Sequence, residues 1–136
     1  DAPRFSITGM HDVRVVDMHD GDTFTCVMFH DGTYYRFSVR INGIDTPEMT
    51  GATKPTALLA RQRLFELMTN RTDVSTVDWK RRDFEEYFRT FYTEAEINCT
   101  GFDKYGRLLG DLPLVRFTLI REGHAHAYDG GTKMSF

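Results

Sequence analysis

The stretch Val39-Arg40-Ile41-Asn42-Gly43-Ile44-Asp45-Thr46-Pro47-Glu48 closes an alternating run and then sets two carboxylates and a proline just beyond an arginine. Alternation places Tyr35, Phe37, Val39 and Ile41 on one face of a strand, and Arg36, Ser38 and Arg40 on the other. Arg40 therefore leaves the strand on the side away from the core. Pro47 has no N–H with which to continue a ladder, so Asp45 to Glu48 is predicted as a stiff turn holding two carboxylates close together.

Upstream, Asp31-Gly32 and Asp20-Gly21 are turn signals that bound a strand from Thr23 to Phe29 and open a third from Thr33 to Ile41. Val13, Val15 and Val16 begin the first strand, which runs to about Met18, and Asp1 to Met10 is a loose arm or a short first pairing. Three strands joined by two tight turns make an antiparallel meander. Downstream, Ala57, Ala60, Leu64, Leu67 and Met68 recur at helical spacing, with Pro55 in the first turn, Thr53 as a cap and Asn70 as the stop.

Between residues 71 and 94, Trp79, Phe84, Phe88, Phe91 and Tyr92 follow a mostly helical period beside Lys80-Arg81-Arg82. The spacing predicts an extra helix that packs Phe84, Phe88 and Phe91 onto the rest, with a solvated charged face. The competing reading is a lid or stacking arm. Ala95 to Cys99 and Leu108 to Leu112 are further strands, Pro113 ends the last of them, and Val115 to Glu122 is a short helix closed by Gly123. Asp129-Gly130-Gly131 is turn material. Five short strands with a helix after the third predict an α+β fold, a small closed five-stranded barrel of the oligonucleotide/oligosaccharide-binding (OB) kind. The 136 residues fit one domain, 1–136.

A net charge of −3 and a pI near 5.9 argue against a broad basic surface that grips nucleic acid non-specifically, and leave room for a small basic cleft. No apolar run reaches membrane-spanning length, so no membrane partner is expected. No charged-then-apolar leader opens the sequence, while Asn70-Arg71-Thr72 and Asn98-Cys99-Thr100 match the glycosylation sequon, a triplet common by chance; the compartment is left open. Cys26 and Cys99 sit in strand-like apolar runs and are expected as two buried thiols.

Two motifs carry chemistry. Asp20-Gly21-Asp22-Thr23 is an ordinary turn by itself, but a meander brings Asp22 towards the Asp45–Glu48 corner. Asp22, Asp45 and Glu48 would then converge, and like charges so close repel unless a cation lies between them. An all-oxygen, partly hydrated site favours Ca²⁺ over Mg²⁺. Asp103-Lys104-Tyr105-Gly106-Arg107 reads alone as a solvated basic turn and gains meaning beside Arg40. Two guanidiniums and a hard cation match the extra negative charge of a phosphodiester transition state, and Glu48 could take a proton from an attacking water.

Together, Asp20 to Thr23, Arg40 to Glu48 and Asp103 to Arg107 resemble the three signature blocks of the staphylococcal nuclease (thermonuclease) family, in the family's order. The similar region spans about Val13 to Tyr128. The resemblance implies a Ca²⁺-dependent hydrolase of DNA and RNA phosphodiesters, of low sequence specificity, that cleaves on the 5′-oxygen side and leaves 3′-phosphorylated products. It further implies Asp22 and Asp45 as carboxylate metal ligands and Thr46 as a backbone carbonyl ligand. Glu48 corresponds to the general base that hydrogen-bonds the nucleophilic water, and Arg40 and Arg107 to the phosphate clamp. Lys104 and Tyr105 correspond to contacts with a neighbouring phosphate. Tyr128 is similar to a tyrosine on the wall of the nucleotide pocket, although its spacing from Gly123 differs by one. We expect a monomer that favours single strands. Three departures from the family are an insertion within about 71–94, the stop soon after Tyr128 and the acidic charge balance, which predicts weaker substrate capture.

Two alternatives stand beside this one. A barrel of this kind without catalysis is a nucleic-acid or protein binding module, although none of the carboxylates or arginines is missing here. His124 and His126, two apart, could instead serve a transition-metal hydrolase, with no third ligand in sequence reach.

Overall fold

The computed structural model describes residues 6–128. In chain order the strands before the helices are β1 (Thr8–Met18), β2 (Thr23–His30), β3 (Thr33–Ile41) and the two-residue β4 (Ile44–Asp45). Helices α1 (Lys54–Thr69) and α2 (Arg81–Thr90) follow, then β5 (Glu94–Phe102), β6 (Leu108–Asp111), α3 (Pro113–Arg121) and the short β7 (His126–Ala127). The barrel closes in the order β1-β2-β3-β6-β5, with β3 and β6 parallel and the other pairs antiparallel. With a helix between the third and fourth barrel strands, this is the OB-type barrel that the strand spacing predicts. Among the described residues no helix is long and apolar enough to cross a membrane.

Local chemistry explains the meander. Val39 and Ile41 are fully buried, Arg36 is exposed and Arg40 is half-buried, as the alternation requires. Asp31 and Gly32 both adopt positive φ, +49° and +80°, which is the turn geometry that matches the twist of two hairpin strands. Gly21 serves differently. A Cβ there would lie 2.9 Å from Ala60 Cβ and 3.0 Å from Thr46 Cγ2, so glycine lets the β1–β2 loop press against α1 and the Thr46 corner. β1 is longer than the valines indicate: Thr8 to Arg14 pairs with β5 and Arg14 to Met18 with β2, so this one strand closes the barrel. The first ten residues thus contribute Thr8 to Met10 to pairing.

Helix α1 buries Ala57, Ala60, Leu64 and Met68, and ends at Asn70 in the left-handed conformation. Thr53 does not cap it. Its hydroxyl donates to the Glu48 carbonyl at 2.7 Å and to the Thr50 carbonyl at 3.1 Å, which ties the Glu48 turn to the start of the helix. Residues 71–80 are not helical. Buried Arg61 donates to the carbonyls of Thr76 and Trp79, and Gln62 bonds Val74 and Thr76, so side chains of α1 hold that segment as an irregular link.

Helix α2 packs its aromatic face inward, as predicted, with one exchange: Phe84, Tyr87 and Phe88 are buried, whereas Phe91 is 48% exposed. They gather around Phe65 of α1, with ring centroids 4.9 to 6.1 Å apart. The charged face is not wholly solvated. A bulge at Val16 interrupts the β1 register, and the next residue, Asp17, is completely buried with both Nε and Nη2 of Arg81 on its Oδ2, at 2.9 and 2.6 Å. Cys26 and Cys99 are free and buried. The Asp129-Gly130-Gly131 turn lies outside the described residues.

Candidate active site

One cavity of about 410 Å³ gathers the three separated motifs. It is lined by Asp20, Asp22, Arg40, Asp45, Thr46, Glu48, Lys104, Tyr105, Arg107 and Tyr128, among others. All nine residues assigned from the sequence line it.

Five pieces of backbone build it. β3 delivers Arg40, whose Nη1 donates to the carbonyl of Ile41 at 2.8 Å while Nη2 lies 3.5 Å from both Asp22 Oδ2 and Asp45 Oδ1. Asp22 sits in the β1–β2 loop that Gly21 presses against α1. Its Oδ2 accepts from the backbone N–H and the hydroxyl of Thr46, and its Oδ1 from the Thr23 hydroxyl. Asp45 is on β4, pinned opposite His126 by pairing with β7. The same strap carries Tyr128 to the cavity, where its N–H donates to the Gly43 carbonyl.

The β5–β6 loop is organised by Asp103. Its Oδ1 accepts from the N–H groups of Tyr105 and Arg107, and its Oδ2 from Arg107 Nε at 2.7 Å. That bond aligns the Arg107 guanidinium, and both Lys104 Nζ and Arg107 Cζ lie over the Tyr105 ring, at 5.3 and 5.4 Å. Asp103 and Thr53 are therefore positioning residues: Asp103 stands in the Asp103–Arg107 block with no role assigned from sequence, and Thr53 is expected there only as a helix cap.

The three expected carboxylates, Asp22, Asp45 and Glu48, line the one cavity from different depths. Asp22 and Asp45 converge on Arg40, while Glu48 is exposed where it lines the cavity, its backbone held by Thr53. Among the described residues no group of three or more His, Cys, Asp and Glu side chains stands close enough to hold a metal ion; His124 lies 3.9 Å from Glu122. The donor chemistry nonetheless fits a hard cation. Asp22, Asp45 and the Thr46 carbonyl are all oxygen, and Asp20 adds a further carboxylate to a cavity in which the Asp22–Asp45 pair leans on one guanidinium.

Asp20 records that excess of negative charge. Burial, then the adjacent Asp22 carboxylate, push its carboxyl from 3.8 up to about 7. Burial also opposes ionisation of Asp22, but the hydrogen bond with Asp20, the Arg40 guanidinium and Thr46 outweigh it and hold Asp22 below its usual value. The motif Asp20-Gly21-Asp22 already contained this residue, yet only the enclosure by α1 distinguishes Asp20 from a surface turn.

A carboxyl whose folded value is raised binds more protons folded than unfolded between the two titrations. Its stabilising contribution is complete below about 3.8 and is lost as pH climbs through about 7. In cation-free buffer, Asp20→Asn is therefore expected to raise the thermal midpoint relative to the parent, by an amount that grows across this window. Melting curves of the two proteins check it; a constant difference at every pH overturns the assignment.

No family model matches the chain, and no curated protein matches it.

Proposed function

We propose that this protein is a Ca²⁺-dependent nuclease of the staphylococcal nuclease type, hydrolysing phosphodiester bonds of DNA and RNA with low sequence specificity. The observation that carries the proposal is the assembly of Asp22, Arg40, Asp45, Glu48 and Arg107, from separate stretches of chain, in a single polar cavity. Carboxylates paired with guanidiniums also occur as structural networks, but those are seldom open to solvent on one side with an exposed carboxylate and two exposed phosphate-binding candidates, Lys104 and Tyr105, beside them.

Asp22, Asp45 and the Thr46 carbonyl would hold the cation. When bound, it supplies a Lewis-acid charge that offsets the negative charge growing on the phosphoryl group. Glu48 accepts a proton from the attacking water, whose oxygen adds to phosphorus as the bond to the 5′-oxygen breaks; the leaving oxygen takes a proton from solvent. Arg107 keeps Nε on Asp103 and has its two terminal nitrogens for phosphate oxygens, a forked contact that strengthens as charge builds. Arg40 donates from the end of β3. Lys104 and Tyr105 bind a neighbouring phosphate, and Tyr128 forms the nucleotide wall.

The test is digestion of single- and double-stranded substrates. Cleavage is expected to disappear in chelator and to return with Ca²⁺ better than with Mg²⁺, because the donor set is all-oxygen and not built as a rigid octahedron. Full activity in chelator overturns the metal assignment. Binding without cleavage under every metal tried makes the protein a binding module.

A further inference from the structure

Outside the catalytic cavity, the outer face of β1, β2 and β3 runs up to α2 and carries guanidiniums that the proposed reaction does not use. Strand register places Arg14, Val27 and Arg36 in one row across the three strands, with Phe29 opposite Tyr34 in the β2–β3 row beyond it. Arg14, Arg36 and Arg89 line a cleft of about 190 Å³ against α2, where Glu85 is the acidic residue in the lining. Arg36 and Arg89 are exposed and make no ion pair among the described residues. Arg14 is the anchor of the cleft: Nη2 donates to the Phe88 carbonyl at 3.0 Å, the guanidinium lies 4.7 Å over the Tyr92 ring, and its buried Nε has no hydrogen-bond partner.

Large rings surround these charges. Tyr34 is 74% exposed, Tyr92 64% and Phe29 59%, and the Phe29 and Tyr34 centroids are 5.0 Å apart. In a chain of net charge −3, three guanidiniums lining one cleft form a local positive field, and open aromatic faces beside them match stacked bases. Carboxylates of an acidic protein would use the guanidiniums and leave the rings idle, and a duplex hides the faces of its bases.

We infer that this face is a second binding surface for single-stranded nucleic acid, which holds the strand beyond the cleavage point with guanidiniums on phosphates and Tyr34, Phe29 and Tyr92 under bases. Arg36 and Arg40 share one face of β3, four residues apart, a separation of roughly 13 Å at about 3.3 Å per residue. A strand lying in the catalytic cavity can therefore continue along β3 onto this surface. The link to cleavage rests on the nuclease reading above; the surface itself does not.

The experiment measures binding of a labelled oligo-dT of about 12 nucleotides, within the span one OB barrel covers, by fluorescence anisotropy in chelator, where nothing is cut. The proteins are the full chain, an Arg36→Ala/Arg89→Ala double variant and Tyr34→Ala. All three positions are exposed and lie outside the catalytic machinery, and Arg14 is left in place because it ties β1 to α2. The double variant is expected to bind roughly tenfold more weakly. Its dependence of log affinity on log salt should flatten by about 1.4, or about 0.7 for each lost phosphate contact on a single strand. Tyr34→Ala should weaken binding at least about fivefold with an unchanged salt slope, as lost stacking does. Turnover of a dinucleotide that fills only the catalytic cavity should be the same in all three.

Unchanged affinity and salt slope in the double variant overturn the proposal, as does failure of the unaltered chain to bind the oligonucleotide. Polyglutamate displacing the probe as well as unlabelled oligo-dT does overturns it in favour of an acidic protein partner. If the chain does not cut with Ca²⁺ but binding still depends on Arg36, Arg89 and Tyr34, the nuclease reading falls and the surface stands. If it cuts and the variants bind like the parent, the surface alone falls.

Discussion

Replacing Arg40 or Arg107 with alanine is expected to lower turnover on single-stranded DNA by about a hundredfold to a thousandfold, about 3 to 4 kcal/mol of transition-state stabilisation. The loss should fall on turnover and not on ground-state binding, because only interactions that strengthen in the transition state speed the step. Lysine should rescue either position poorly, since a point charge cannot reproduce a forked contact. The two variants should differ in one respect. Arg40 Nη2 lies 3.5 Å from each of the Asp22 and Asp45 carboxylates, whereas Arg107 is paired with Asp103 outside that pair. Arg40→Ala therefore removes the counter-charge of the two carboxylates and should tighten Ca²⁺ binding measured by calorimetry, while Arg107→Ala should leave it unchanged. Lys104→Ala is the control: exposed and, under the proposed mechanism, a contact to a neighbouring phosphate, it should raise the Michaelis constant with turnover nearly intact. Single-turnover rates at saturating substrate decide the matter. Equal changes of one parameter in Arg40→Ala and Lys104→Ala would show the division of labour to be wrong.

Phe88→Ala is expected to cost about 3 to 5 kcal/mol of unfolding free energy, the range for emptying a buried aromatic site. Phe88 is fully buried, 5.9 Å from Phe65 and 5.2 Å from Tyr87, so its removal opens a cavity where α2 meets the rest of the core. Its carbonyl also receives Arg14, which fastens the same turn of helix to β1. Phe91→Ala provides the contrast. That ring is half exposed, touching Tyr87 at 4.8 Å and lying beneath Arg71 at 5.2 Å, and its loss should cost under about 1 kcal/mol. Urea denaturation of both variants measures the difference. Equal costs at the two positions would mean that α2 does not dock by the face described.

Strands β2 and β3 are legible in the sequence nearly to the residue, because alternation and Asp-Gly turns are properties of neighbouring residues. Helix α1 is legible for the same reason, its apolar spacing and its stop at Asn70 both lying within a few residues of where they act. The residues that line the candidate cavity are legible too, since Asp22, Arg40, Asp45, Glu48 and Arg107 occur in short blocks of charged residues at turns.

Other features depend on distant partners. Two-residue strands have no periodicity, so the β4–β7 pairing that pins Asp45 and carries Tyr128 inward leaves no pattern to read. The helically spaced aromatics begin at Trp79, but Arg61 and Gln62 claim the backbone of Val74, Thr76 and Trp79 and hold the segment before α2 out of a helix. Tyr87 takes the inward place expected of Phe91 because helix α2 ends at Thr90, and the backbone at Phe91 is already extended. Asp17 meets Arg81 across 64 residues of chain, and Asp20 holds its proton up to about 7 because burial and Asp22 surround it. Periodicity and turn chemistry act between neighbours along the chain and so determine the elements; burial, ion pairing and charge excess act through space and are decided only when the barrel closes.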